Sequence, residues 1–142
     1  MKAGRFLVVC LAAGVAFACV SASVAASEQQ RARASFTFGI EGGNIVPFTA
    51  VISRSGRVTF TRGDRRLKRP PLTVAAVNRL LALAKAERFD SLPASIDCAG
   101  ALPDMGTQFI TIRTAARTRT VHQHGGCNRR FDTLYARLYA AV

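Results

Sequence analysis

The chain has 142 residues, a formal net charge of +12, 49% hydrophobic residues and no tryptophan. That length bounds it to one small domain, since domains run to about 100–150 residues. The basic balance excludes an acidic solvating chain and directs attention to anionic partners.

The N-terminus comes first in chain order. Lys2 and Arg5 form a short positive region, residues 6–20 (FLVVCLAAGVAFACV) are uncharged and apolar, and residues 21–26 (SASVAA) are small. This is the anatomy of a secretory signal peptide, expected over residues 1–26. Cleavage after Ala25 also fits, but cleavage after Ala26 leaves the polar start Ser27-Glu28-Gln29-Gln30 and is preferred. An uncleaved anchor is disfavoured because a spanning helix needs about 20 apolar residues. A lipid-modified Cys19 is disfavoured because Phe17 stands where small residues are expected. No later segment is apolar enough to span a membrane. A secreted or cell-envelope location follows as the expectation.

The mature chain then holds 116 residues, with 27–34 (SEQQRARA) as a disordered polar tail and 35–142 as a single domain. Removing Lys2 and Arg5 from the 20 basic residues leaves 18 against 8 acidic ones, or +10. Cys10 and Cys19 leave with the signal, and Cys98 and Cys127 remain. Two cysteines in an exported domain most simply form one disulfide.

Residues 35–40 (SFTFGI) alternate, with Phe36, Phe38 and Ile40 on one face, and predict a half-buried strand. Glu41-Gly42-Gly43-Asn44 reads as a turn. A second strand runs from Val46 to Ser53 with Phe48, Ala50 and Ile52 inward. A third runs from Arg57 to Thr61 with Val58 and Phe60 inward, and the short connection between the two predicts an antiparallel hairpin. The basic run Arg62, Arg65, Arg66, Lys68 and Arg69, followed by Pro70-Pro71, reads as a linker.

Thr73 is a good N-cap for a helix to about Arg88. Val74, Val77, Leu80, Leu81 and Ala84 fall on its apolar stripe, and Phe89 and Leu92 are expected to fold back onto the core. Residues 94–106 read as a loop. Strands at 107–114 and 118–124 predict a second hairpin, with Ile110 and Ile112 inward and Phe109 on the opposite face. A last helix starts at Asn128 or Arg129, with Phe131, Leu134, Tyr135, Leu138 and Val142 on one stripe. The expected class is α+β, in the order β-β-β-α-β-β-α: an antiparallel sheet from two hairpins plus an N-terminal strand, both helices on one face, and one disulfide.

Candidate sites are few. His122 and His124 share one strand face and could meet one metal ion. Zinc needs at least a third protein ligand, with Asp97 and Asp104 as possible donors, and two solvent-facing histidines are the preferred reading. No metal or other cofactor is therefore expected. The nucleophile elbow G-x-S-x-G is absent, as is a phosphate-binding glycine loop. Half of the eight carboxylates, Glu28, Glu87, Asp90 and Asp132, fall in the tail or at helix ends, which disfavours a paired-carboxylate hydrolase site, and Asp132 suits the dipole of the last helix. The chain is therefore expected not to be an enzyme. The basic run forms a candidate polyanion patch, with a solvated loop as the preferred reading; nucleic acid is disfavoured because no aromatic residues interleave the charge.

Gly42-Gly43, the segment 80–84 (LLALA) with Phe89 and Leu92-Pro93, and later Asp104, Ile110, Ile112, Phe131, Leu134 and Leu138 resemble a bacterial group that includes the emfourin-like inhibitors of thermolysin-type metalloproteases. The resemblance extends from Phe36 to Leu138 and is carried mainly by core residues. The signal peptide and the Cys98/Cys127 pair depart from the cytoplasmic inhibitors. The resemblance implies a binding module, a protease-inhibitor-like protein acting through the turn Gly42, Gly43 and Asn44, and the expected signal peptide makes it a small secreted one with a secreted protease or other extracytoplasmic protein as partner. The alternative is an envelope-associated protein that grips anionic polymer through the Arg-rich loop.

Overall fold

A computed structural model describes residues 32–142. The expected signal peptide and most of the polar tail lie outside the described residues. Within that tail, Ala32 is already buried, and its N–H donates to the Arg54 carbonyl at 2.7 Å. The first strand begins at Ala34.

Seven strands and two helices make up the described residues. They are β1 (Ala34–Glu41), β2 (Phe48–Ile52), β3 (Val58–Arg62), β4 (Arg65–Leu67), α1 (Val74–Ala86), β5 (Ser95–Asp97), β6 (Thr107–Thr114), β7 (Thr118–His124) and α2 (Arg129–Ala140). A 3-10 turn at Phe89–Ser91 follows α1. The strands form one sheet in the order β4-β3-β2-β1-β6-β7-β5. The fold is α+β, and the sheet is mostly antiparallel with one parallel pair, β5 with β7.

The alternation in β1 sets the layers. Phe36 and Phe38 pair with Ile52 and Ala50 on one side and with Ile112 and Ile110 on the other. Side chains alternate across a strand, so these residues share the inward face. The α1 residues Val77, Leu80, Leu81 and Ala84 and the α2 residues Phe131, Leu134, Tyr135 and Leu138 join them in one core. Phe38 meets Tyr135 edge-on at 5.9 Å, and the Tyr135 hydroxyl donates to the Gly39 carbonyl at 3.1 Å. On the other face Thr37, Val51, Thr59 and Thr111 stay partly exposed.

Both helix starts follow from their sequence. Thr73 Oγ1 accepts the Ala76 N–H at 3.1 Å, and Asn128 Oδ1 accepts the Phe131 N–H at 3.1 Å. Each satisfies one donor that a helix end leaves without an internal partner. α1 stops at Ala86, and Arg88 takes φ 52 to turn the chain toward Phe89 and Leu92, both buried.

Two expectations are corrected. The basic run is not all linker, because Arg65–Leu67 forms the edge strand β4. Gly63, at φ 53, opens a two-residue loop between β3 and β4, and glycine at that position is what a type II′ hairpin requires. Backbone pairing outweighs the repulsion that makes a cluster of arginines look like a solvated loop. Likewise, the segment 94–106 is not all loop. Ser95–Asp97 pairs in parallel with β7, aided by the Cys98 N–H to the His124 carbonyl at 3.0 Å and the His122 N–H to the Ala94 carbonyl at 2.9 Å. Three residues are too few to show periodicity, and only Ile96 among them is buried. The sheet is therefore neither wholly antiparallel nor limited to five strands.

Candidate functional site

Cys98 and Cys127 form the disulfide, with Cα atoms 5.6 Å apart. It ties the loop after β5 to the start of α2. The same loop is held by His124, whose Nε2 lies 3.1 Å from the Leu102 carbonyl. A carbonyl only accepts, so Nε2 carries the proton, and in the neutral ring Nδ1 accepts from Thr107 Oγ1 at 3.3 Å.

The Gly42-Gly43-Asn44 turn docks on this loop. The Asn44 N–H donates to the Asp104 carbonyl at 2.9 Å. Gly43 has φ 63, and a Cβ there would lie 2.3 Å from the Asp104 oxygen. Glycine is needed both for the left-handed backbone and for the close approach. The turn therefore contributes geometry, while the side chains come from its neighbours. Ile45 and Val46 on one loop, and Leu102 and Met105 on the other, are exposed apolar residues, with Val46 at 57% and Leu102 at 60%.

A cleft of about 330 Å³ opens between these loops and α2, lined by Ile40, Ile45, Met105 and Gln108 among others, with Asp132 as its charged group. Gln123, fully buried, positions that carboxylate: its Nε2 donates to Asp132 Oδ1 at 2.6 Å, and its Oε1 accepts the Asn128 N–H at 3.2 Å. Both bonds brace the first turn of α2 against β7. Asp132 in that turn also faces the positive end of the helix dipole.

The histidines share the outward face of β7, as alternation requires, yet they do not converge. His122 Nδ1 lies 3.5 Å from Glu41 Oε1 and its ring sits 6.1 Å from that of Phe109, while His124 serves the loop. Asp97 stands opposite His124 in register, and its Oδ2 accepts from the Ser95 hydroxyl at 3.3 Å. Among the described residues no three His, Cys, Asp or Glu side chains group closely enough to hold a metal ion.

The basic run is divided by the sheet. Arg62 and Arg65 pair across the last rung of β3 and β4. Arg66 projects to the other face and donates to Thr59 Oγ1 at 3.2 Å. The Arg69 guanidinium lies over the Phe60 ring at 4.8 Å. The five cations therefore do not form one continuous patch.

Sequence reading missed Ile45, Leu102, Met105 and Asp132 as parts of one surface, and missed the buried Gln123 that holds Asp132 from beneath. The available signal was apolar side chains inside glycine- and proline-marked loops, where burial is not expected. No described helix is long and apolar enough to cross a membrane. Comparisons with protein families, curated proteins and solved structures find no match to this chain.

Proposed function

We propose that the folded domain is a non-enzymatic, extracytoplasmic binding module that engages a protein partner through the paired loops 42–46 and 98–106, in the manner of a protease inhibitor. The observation that carries this reading is the set of exposed apolar side chains Ile45, Leu102 and Met105 beside the cleft, on loops already tied down. Solvated loops rarely present clustered apolar groups without use. The disulfide, the Asn44 to Asp104 bond and the His124 tether restrict these loops before any partner arrives. Preorganisation lowers the entropy lost on binding. The disulfide is compatible with an oxidising compartment, in keeping with the expected signal peptide. The resemblance to emfourin-like inhibitors points to the same class of partner.

A panel of secreted metalloproteases and serine proteases tests the reading by titration of residual activity. Inhibition of at least one, weakened about tenfold or more by Leu102→Ser combined with Met105→Ser, is the expected result. Absence of inhibition across the panel, or inhibition indifferent to that double substitution, refutes it.

A further inference from the structure

A second surface lies around the turn between β3 and β4, and its chemistry differs from that of the cleft. Arg62 and Arg65 sit directly opposite each other on the helix-side face of the sheet, where Arg62 also pairs with Phe48. Like charges placed so are unfavourable. Among the described residues the ion pair between permanently charged groups is Arg117 with Asp90, Glu41 contacts His122, and neither Arg62 nor Arg65 has a carboxylate partner. Asp64, in the turn between them, makes no such pair. The backbone nevertheless holds the two cations in place, since the Gly63 N–H donates to the Pro47 carbonyl at 2.8 Å.

Apolar side chains border this pair. Val46 is exposed, and a β-carbon on Gly63 would stand 3.5 Å from its Cγ1. Tyr139 is 52% exposed and lies 5.5 Å from the Phe48 ring. Leu67 is 39% exposed opposite Phe60. Guanidinium groups match phosphate oxygens in a planar, two-bond geometry. Tyrosine favours a boundary between water and an apolar phase. A soluble polyanion would use the arginines and leave Val46, Leu67 and Tyr139 without a role. A lipid surface uses both sets.

We propose that Arg62 and Arg65, with Val46, Leu67 and Tyr139, form a peripheral docking site for a membrane surface carrying anionic phosphate headgroups. The phosphates bridge the two guanidinium groups, and the apolar side chains enter the headgroup boundary. Val46 belongs to the loop 42–46, but it does not line the partner-binding cleft, and Arg62, Arg65, Leu67 and Tyr139 lie outside both partner-binding loops.

Co-sedimentation of the folded protein with phosphatidylcholine vesicles, with and without phosphatidylglycerol, tests it. Binding is expected only with phosphatidylglycerol and should weaken as salt rises. Arg62→Ala with Arg65→Ala is expected to lower partitioning roughly 20- to 30-fold, the ratio that corresponds to about 1 kcal/mol of surface attraction per cation. Arg79→Ala with Arg129→Ala removes the same charge elsewhere and should cost much less. Val46→Ser with Tyr139→Ser should also weaken vesicle binding. Leu102→Ser with Met105→Ser should not, which separates this site from the protein-binding surface. Equal losses in the two arginine pairs would show charge alone at work and overturn the site. So would vesicle binding indifferent to Val46 and Tyr139, or a preference for soluble polyphosphate that survives their substitution.

Discussion

Replacing both Cys98 and Cys127 by alanine removes the covalent link between the loop after β5 and the start of α2. The two residues are 29 apart in sequence. The loop-closure entropy of an open chain of that length corresponds to about 3–4 kcal/mol at 25 °C. Net stability of small domains is about 5–15 kcal/mol, so this is a large share. The folded unit spans Ala32–Val142, and at ~2.1 cal/mol/K of unfolding entropy per residue the loss corresponds to a fall in Tm of roughly 15 °C. Urea denaturation followed by circular dichroism measures it directly. The double variant should show a lower midpoint and a larger m-value, because the denatured chain is no longer cross-linked and exposes more surface. A loss below about 1 kcal/mol with an unchanged m-value would refute the entropic argument. Measuring inhibition alongside stability then reports whether the loops 42–46 and 98–106 need the link to remain ordered.

Three further outcomes are expected. Gly43→Ala should destabilise by more than Gly42→Ala in thermal unfolding: both positions have positive φ, but only at Gly43 does the new β-carbon meet backbone, at 2.3 Å from the Asp104 oxygen, while at Gly42 it meets open space. Gln123→Leu nearly keeps the volume but strips Asp132 and the Asn128 N–H of their partner, and should cost about 2–3 kcal/mol in urea titration. Gln123 is fully buried, while Asp132 and Asn128 stay partly exposed, so water recovers part of the loss and the low end of that range is expected. Burial, aided by the neighbouring Tyr139, pushes the Tyr135 phenol well above its usual range; the unfolded chain releases that proton near pH 10 while the folded chain keeps it, so stability should fall as pH rises above about 10. Tyr135→Phe should flatten that alkaline slope in stability measured against pH.

Much of the architecture was legible because periodicity and burial agree. The runs 107–114 and 118–124 are long enough for alternation to register, and β6 and β7 occupy those same residues. The α2 stripe of Phe131, Leu134, Tyr135 and Leu138 is buried as its spacing implies. β4 and β5 were illegible because three residues carry no period, and Arg65-Arg66-Leu67 has no buried member to mark a face. The candidate cleft was illegible for a different reason. Its walls come from residues 40, 45, 105, 106, 108, 125, 126 and 132, which no local pattern associates.

The sequence by itself marked most of the core-facing residues of the longer strands and helices and the Cys98–Cys127 pair, because hydrophobic spacing and cysteine count are local or compositional properties. Only the tertiary structure decided that Asn44 meets Asp104, that Gln123 holds Asp132, and that Arg62 faces Arg65 while Arg66 turns away. Those relations depend on strand register and loop docking. A shift of one residue in register would send each strand side chain among them to the opposite face, and the free energy that selects the register is spread over the whole core.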